Sequence, residues 1–250
     1  MCRFCLSRRS FLAAPAMLPL VRAGAAMAGE GIVEPRMQLL NPPPGRLTVA
    51  LTLDACPGAF DERIAVALVE NAIPATIFAT GVWLRRNPAG LALLVAHRDL
   101  FGIENHGERH VPPVLGRGSI FGIPVAGDLD TVHREVTEGA ASISVATGAS
   151  PRWYRAAAGF YSPPAMQAIE ALGFDIAGYS LNADVGASLP ARSVADRIAG
   201  AANGDVIVAH INQPERSSGA GVAAGVVELR RRGVSFVRFD QLTAGDVAYG

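Results

Sequence analysis

Two scarcities in this sequence exclude whole classes of protein. The 250 residues carry 22 basic and 22 acidic side chains, so the chain lacks the basic face with which nucleic-acid-binding proteins displace counterions. Beyond its first residues it also has no apolar stretch long enough to cross a bilayer. Half of the residues are apolar, which predicts one globular domain with a substantial core. Neutral, polar and carbohydrate ligands remain compatible with this composition.

The N-terminus indicates export. Paired arginines in the stretch 7–12 precede a modest apolar region that ends in a small-x-small cleavage pattern at residues 26–28. These features predict a twin-arginine signal over residues 1–28 and an exported protein, periplasmic or extracellular, with no stable membrane insertion after cleavage. Because Arg22 interrupts the apolar region, an ordinary secretory leader or a short anchor is the alternative.

Cysteine is also scarce. The chain contains three cysteines, and Cys2 and Cys5 would leave with the signal. Only Cys56 would remain, so we expect no internal disulfide.

The rest of the chain alternates strand and helix patterns. Residues 29–46 are rich in proline and predict an irregular arm, and residues 47–250 predict one α/β domain. The predicted strands are 47–53, 75–82, 101–105, 152–155, 174–181, 205–210 and 235–239, and the predicted helices include 61–71, 88–97, 130–146, 163–172, 193–202 and 220–232. This alternation predicts about seven βα units around a mostly parallel sheet or barrel.

Polar side chains recur where the predicted strands end. In such folds reactive groups collect at the carboxyl ends of the strands, so we expect a single pocket formed by Asp54, Asn105, His106, Arg155, Asp184 and His210.

Two histidines follow one of these strands. His106 and His110 stand four residues apart in a chain with five histidines, and on one helical turn two neutral imidazoles would suit zinc or a similar cation. A polar loop with surface histidines is the alternative. Glu108, two residues after His106, should point away from such a cation.

His210 ends another apolar strand. It could be a buried core histidine or a general acid whose pKa is raised by Asp184, a carboxylate at the end of the preceding predicted strand. Arg155 stands among aromatic residues that include Tyr161; it could hold a carboxylate, and the aromatics could stack on a ligand. A strand with an exposed arginine is the alternative there.

Together these pieces resemble the polysaccharide deacetylases, the NodB-homology domain of carbohydrate esterase family four, across residues 47–242. The sequence 51–54, Leu-Thr-Leu-Asp, is similar to the Thr-Phe-Asp-Asp motif of that family, and 106–110 matches its His-x-x-x-His motif. Residues 155–159, 181–184 and 208–210 correspond to its three later motifs.

The resemblance implies a single-domain, distorted (β/α)7 barrel with a divalent metal, most simply zinc, at its mouth. His106 and His110 would bind the metal, and Asp54, oriented by Arg155, would be the base. His210, supported by Asp184, would protonate the leaving amine. The implied activity is removal of acetyl groups, N-acetyl or O-acetyl, from an envelope or extracellular polysaccharide.

Two positions depart from the family pattern. The second aspartate of the first motif, a metal ligand in the family, is Ala55 here. Asp54 could take its place as ligand, which we favour because catalytic zinc normally has three protein ligands; Cys56 could supply a thiolate instead, or the two histidines could bind the metal with extra waters. If Asp54 is the ligand, Asp184 or a hydroxide would have to act as base.

The second departure is in the third motif, where residues 156–158 are alanines. That wall of the groove should be roomier, and Tyr161 and Asn212 are the expected substrate-binding residues, with a turn-forming role as the alternative for Asn212. The departures leave a competing hypothesis of a catalytically silent glycan-binding relative.

Overall fold

Twelve strands and seven α-helices follow one another along residues 31–42 and 45–250, which the computed structural model describes; the predicted signal lies outside this part. The strands are β1 Met37–Leu39, β2 Thr48–Ala55, β3 Ala75–Ala79, β4 Phe101–Asn105, β5 Ser119–Ile120, β6 Ile123–Pro124, β7 Trp153–Tyr154, β8 Asp175–Ile176, β9 Leu181–Asn182, β10 Val206–His210, β11 Ser235–Val237 and β12 Val247–Tyr249. The α-helices are α1 Glu62–Glu70, α2 Gly81–Arg86, α3 Pro88–Ala96, α4 Leu129–Thr147, α5 Pro163–Ala171, α6 Ala191–Ala199 and α7 Ser218–Arg231.

The central sheet is parallel and curled. Its strands stand in the order β8-β7-β4-β3-β2-β10-β9, with β11 also paired to β2. Strands β8 and β9 are consecutive in the chain but stand at opposite ends of this order, so the barrel is open between them. The predicted α/β architecture of parallel βα units is confirmed. None of the helices in the described ranges has the length and apolar character needed to span a membrane.

Strand β2 lies at the centre and is buried along its whole length. Its odd-numbered side chains, such as Leu51 and Leu53, pack in the core that also contains Ile64 of α1 and Val222 of α7. Ala50 faces the other way, into the core of the barrel interior. Because strand side chains alternate with a period of two, Thr52 and Asp54 also face the interior.

Local sequence explains how the helix after β2 begins. The side chain of Asp61 accepts a hydrogen bond from the backbone N–H of Arg63, so Asp61 is the N-cap that the orphan amides of α1 require. Asp54 therefore has no part in capping α1.

The N-terminal arm is more ordered than its prolines predicted. Strand β1 pairs with β12, and Met37, fully buried, lies at the open side of the barrel. The amide of Met37 donates to the carbonyl of Tyr179, and the amide of Tyr179 donates to the carbonyl of Pro35. The prediction of an irregular arm over 29–46 is therefore wrong for this part, because the gap between β8 and β9 supplies backbone partners that lie far away in sequence.

Two other elements differ from the sequence-based prediction. The single strand expected over 174–181 is two short strands, β8 and β9, because the carbonyl of Gly178 between them accepts from Arg155 rather than from a sheet neighbour. Helix α2 was not predicted. Thr80 caps it through a hydrogen bond from Trp83 N–H, and its short length gave no periodic signal.

We expect Gly178→Ala to destabilise the fold, because a Cβ at this position would overlap the carbonyl oxygen of Pro35. The free energy of unfolding should fall by about 1 to 3 kcal/mol, as for other overpacked sites, and urea unfolding measures it. Gly245→Ala is the matched control, since its Cβ would meet only Thr243 Oγ1 at 3.6 Å; it should stay within about 0.5 kcal/mol of the wild type. Equal stability of both variants would mean that the arm does not dock as described.

Candidate active site

One cavity of about 510 Å³ opens at the carboxyl ends of the central strands. Its lining residues come from most of the strand ends: Glu34, Asp54, Cys56, His106, His110, Phe121, Ile123, Ala158, Gly159, Phe160, Tyr179, Asn182, Val185, Gly186, Val208 and His210. Of the six residues predicted to form one pocket, Asp54, His106 and His210 line this cavity, as does His110, whereas Asn105, Arg155 and Asp184 do not. Arg155 and Asp184 lie directly behind its wall, each bonded to a lining residue.

Asp54 and His210 are neighbours by sheet register. Strands β2 and β10 run parallel with Asp54 opposite His210, and registered residues of adjacent parallel strands point to the same face. An acidic side chain and an imidazole therefore face the cavity side by side.

Arg155 fixes the carboxylate of Asp54. Its Nη1 donates to Asp54 Oδ1 at 2.9 Å and to Thr52 Oγ1 at 2.7 Å, and its guanidinium lies over the ring of Phe78, 4.1 Å from the centroid. Burial alone would raise the pKa of Asp54, but the guanidinium of Arg155 and the rings of His106 and His210 outweigh it and lower that pKa. Asp54 is thus a buried, oriented carboxylate.

Asp184 fixes the imidazole of His210. One carboxylate oxygen accepts from the His210 backbone N–H at 2.7 Å and the other lies 2.9 Å from Nδ1. Because a carboxylate only accepts, Nδ1 carries a proton and Nε2 is the atom left to act in the cavity. Burial lowers the pKa of His210, but the hydrogen bond to Asp184 and the nearby Cys56 side chain outweigh it and hold that pKa well above its ordinary value.

Hydrogen bonds from two buried side chains, Asn105 and Glu135, hold the loop that carries His106 and His110. The side chain of Asn105 donates to the carbonyl of Val136 and accepts from Gly107 N–H, both at 2.9 Å. Glu135 of α4 accepts from the amides of Arg109 at 2.8 Å and Val111 at 3.1 Å. These contacts hold His110 in a left-handed conformation with a φ of 70°, which a residue with a Cβ adopts only where its surroundings require it.

Glu108 points away from the cavity, as its spacing predicted. Its carboxylate pairs with Arg85 at 2.7 Å and accepts from Ser142 Oγ at 2.8 Å. Glu135, by contrast, was not predicted, because the sequence does not show that α4 packs beneath this loop.

Cys56 lies against the two histidines. Its Sγ is 3.4 Å from His106 Nε2, and one potential ligand atom from each of Cys56, His106 and His110 lies within 4.8 Å of the others. Burial raises the pKa of the Cys56 thiol, but the charges of His106 and His110 outweigh burial and hold it well below its ordinary value. Asp54, which we favoured as the third ligand, lies outside this group; its Oδ2 approaches His106 Nε2 only to 3.9 Å.

The side chains present fit a divalent cation. His106 Nδ1 lies 2.8 Å from the carbonyl of Arg155, so Nδ1 is the protonated nitrogen and Nε2 presents its lone pair to the cavity. His110 Nε2 is buried with no hydrogen-bond partner in the part of the chain that the structure describes. Two imidazoles and a thiol with free lone pairs are ligands that zinc accepts.

Two predicted substrate-binding residues are not in the cavity. Tyr161 is fully buried, and its hydroxyl accepts from Ala156 N–H at 2.8 Å. Asn212 is buried too, and its side chain packs against the turn at Pro57 and Gly58. Both positions follow strand ends, but their side chains support the surrounding loops instead of lining the groove.

The residues that form the outer walls of the cavity were not predicted from the sequence. Phe121, at the tip of the β5–β6 hairpin, is 83% exposed and lies 5.9 Å from the ring of Phe160. Glu34 of the arm also lines the cavity, and it accepts a hydrogen bond from the Tyr179 hydroxyl. Only tertiary contacts place the arm and the hairpin beside the strand ends, so no local pattern could have identified them.

Comparison with known proteins gives a consistent result. A sequence model of the family described as polysaccharide deacetylase matches residues 41–177, more than half of the chain. None of the curated proteins compared with the sequence matches it.

Solved structures share the fold at low identity. A peptidoglycan N-acetylglucosamine deacetylase has a TM-score of 0.65 and 18% identity over 82% of this chain and 90% of its own. The Bacillus subtilis peptidoglycan deacetylase PdaC has a TM-score of 0.63 and 19% identity over 80% and 91%. A pseudoenzyme of carbohydrate esterase family four from Bacillus anthracis has a TM-score of 0.62 and 16% identity; the match covers 80% of this chain and 66% of that one. These similarities confirm the predicted NodB-type fold.

We expect Asp184→Asn to lower the pKa of His210 by about 1 to 3 pH units, because a neutral amide replaces the carboxylate that favours the imidazolium. A nuclear magnetic resonance titration of the histidine rings measures this pKa. His97 and His133, which lie outside the cavity, are internal references in the same spectra. An unchanged His210 pKa would contradict the pairing with Asp184.

Proposed function

Since the chain belongs to the polysaccharide deacetylase family, we propose that it is a metal-dependent hydrolase that removes N-acetyl groups from an envelope glycan. The observation that carries this proposal is the pairing of two oriented groups in one cavity. Asp54 and His210 stand side by side in sheet register, and the two histidines of the adjacent loop face the same space. The predicted membership in a family of carbohydrate deacetylases is confirmed by the family match.

Asp54 is suited to the role of general base. Its Oδ1 is bound by Arg155, which leaves Oδ2 toward the cavity and the histidine loop. A carboxylate with a lowered pKa is ionised at neutral pH and can accept the proton of an attacking water. Arg155 acts by holding that oxygen in place.

His210 is suited to the role of general acid. Its raised pKa favours the protonated imidazole, and Asp184, which binds Nδ1, leaves Nε2 to donate. As the amide C–N bond breaks, the departing nitrogen needs a proton, and Nε2–H can supply it. Base and acid thus stand on adjacent strands with opposite protonation states.

His106 and His110 would hold the cation. When bound there, a divalent ion would supply Lewis-acid chemistry toward the acyl oxygen. The chain itself orients these two residues. The Arg155 carbonyl accepts a hydrogen bond from the His106 ring, and Glu135 accepts a hydrogen bond from the Arg109 amide beside His110.

The walls favour a neutral sugar chain. The cavity is open, its outer rim carries the exposed ring of Phe121 beside Phe160, and aromatic faces of this kind stack on apolar faces of ligands. Neighbouring structures are described as peptidoglycan deacetylases, and together with the predicted export signal this supports an N-acetylated envelope glycan as the substrate. Such a substrate agrees with an exported, periplasmic or extracellular protein.

We expect the wild-type protein to release acetate from peptidoglycan fragments or N-acetylglucosamine oligosaccharides. Asp54→Asn and His210→Gln should each lower the rate at least about 100-fold, the usual contribution of one acid or base. Enzymatic assay of free acetate measures the rate.

Asp130→Asn and His133→Gln, which make the same chemical changes at exposed positions of α4, are the controls and should retain the wild-type rate. Acetate release by the wild type that persists in Asp54→Asn would refute the assigned base.

A second candidate function is silent glycan binding. It is favoured by Ala55, which occupies the position of the family's metal-ligand aspartate, and by the description of the Bacillus anthracis neighbour as a pseudoenzyme. In this case the protein would bind the oligosaccharide but release no acetate, with or without added zinc. Calorimetric binding and the acetate assay on the same sample separate the two functions.

A further inference from the structure

We propose that Cys56 is the third protein ligand of the cation, in place of the missing aspartate, so that Cys56, His106 and His110 form a thiolate-containing zinc-type site. This inference rests on the proposed function in one respect, that a cation is held by the two histidines. It adds the identity of the remaining ligand and the chemical class of the metal.

Residue 55 cannot serve, because an alanine side chain has no ligand atom. The methyl group of Ala55 is fully buried and belongs to the same core as Leu51 and Leu53. Cys56, the residue that follows the strand, lines the cavity together with Asp54.

The distances favour the sulfur. Two ligands bound to a tetrahedral zinc ion at about 2.0 to 2.3 Å lie roughly 3.5 Å apart, and Cys56 Sγ is already 3.4 Å from His106 Nε2. The ligand atoms of all three side chains lie within 4.8 Å of one another, so small side-chain rotations would close the site. The buried, unpartnered Nε2 of His110 is the second sign of a ligand, since a buried nitrogen without a partner is unfavourable.

Asp54 lies farther from the histidines than Cys56 does. Its Oδ1 is bound by the buried guanidinium of Arg155 at 2.9 Å, and its Oδ2 is 3.9 Å from His106 Nε2, compared with 3.4 Å for Cys56 Sγ. Ligation by Cys56 leaves Asp54 available as the base, so the loss of the family's second aspartate need not remove the catalytic acid–base pair.

A thiolate ligand also changes which metals bind. Sulfur and imidazole ligands suit zinc and cobalt, whereas magnesium, calcium and manganese prefer oxygen. We therefore expect binding of zinc and cobalt but not of magnesium.

The test uses cobalt as a spectroscopic probe. The full chain is prepared with Cys2→Ser and Cys5→Ser, so that Cys56 is the only thiol. Titration with cobalt(II) should give one bound ion per chain and a near-ultraviolet thiolate-to-cobalt charge-transfer band. Cobalt bound without that band would overturn the inference, and so would the absence of any bound cobalt.

Two substitutions of Cys56 test whether its sulfur is the ligand. Cys56→Ser, nearly the same in size, should lose the band and bind cobalt at least about 10-fold more weakly, as loss of a ligand predicts. Cys56→Asp should recover affinity without the band, because a carboxylate can ligate the same ion. Unchanged cobalt affinity in Cys56→Ser would overturn the inference.

A measurement on the unsubstituted Cys56 covers the case in which a variant fails to fold. Bound zinc should slow alkylation of Cys56 by iodoacetamide at least about 10-fold, since a ligating thiolate is not free to react; an unchanged rate would overturn the inference. Acetate release measured on the same preparations keeps the two proposals apart. If cobalt binds without the thiolate band while acetate is released, only the role of Cys56 fails; if the band is present without acetate release, only the proposed activity fails.

Discussion

The buried guanidinium of Arg155 is the constraint on which the rest of the site depends. It is only 1% exposed, and it bonds to Asp54, Thr52 and the carbonyl of Gly178. A buried charge is tolerated only when it is paired and hydrogen-bonded. This one residue therefore joins strand β2 at the centre of the sheet to the segment that separates β8 from β9, at the open side of the barrel.

That opening explains the N-terminal arm and one wall of the cavity. With the carbonyl of Gly178 turned toward Arg155, the chain between β8 and β9 has free backbone groups, and the arm satisfies them through Pro35 and Met37. The same contact brings Glu34 to the rim of the cavity. Packing and active-site shape are therefore coupled through the backbone.

The side chains at the end of β2 have two different roles, in the hydrophobic core and in the cavity. Leu51, Leu53 and Ala55 belong to the helix-side core, and Asp54 and Cys56 face the cavity. Ala55 has no ligand atom, whereas Cys56 lines the cavity beside the two histidines. A departure from the family motif is therefore compatible with side chains that still have the chemistry for metal binding.

The sequence by itself determined the alternation of parallel strands and helices, the family and the convergence of Asp54, His106, Arg155, Asp184 and His210, because alternating patterns and polar strand ends are local signals. It did not show α2, the strand in the arm or the division of residues 174–181 into two strands. It could not determine that the Cys56 sulfur lies nearer to the histidine ring nitrogens than the Asp54 carboxylate does, nor that Tyr161 and Asn212 are buried. Those outcomes depend on distances between residues far apart in the chain, on the docking of the arm and on the packing of α4 beneath the histidine loop. Only the tertiary structure decides them, because a ligand is selected by where its atom lies, and residue type and spacing do not fix that position.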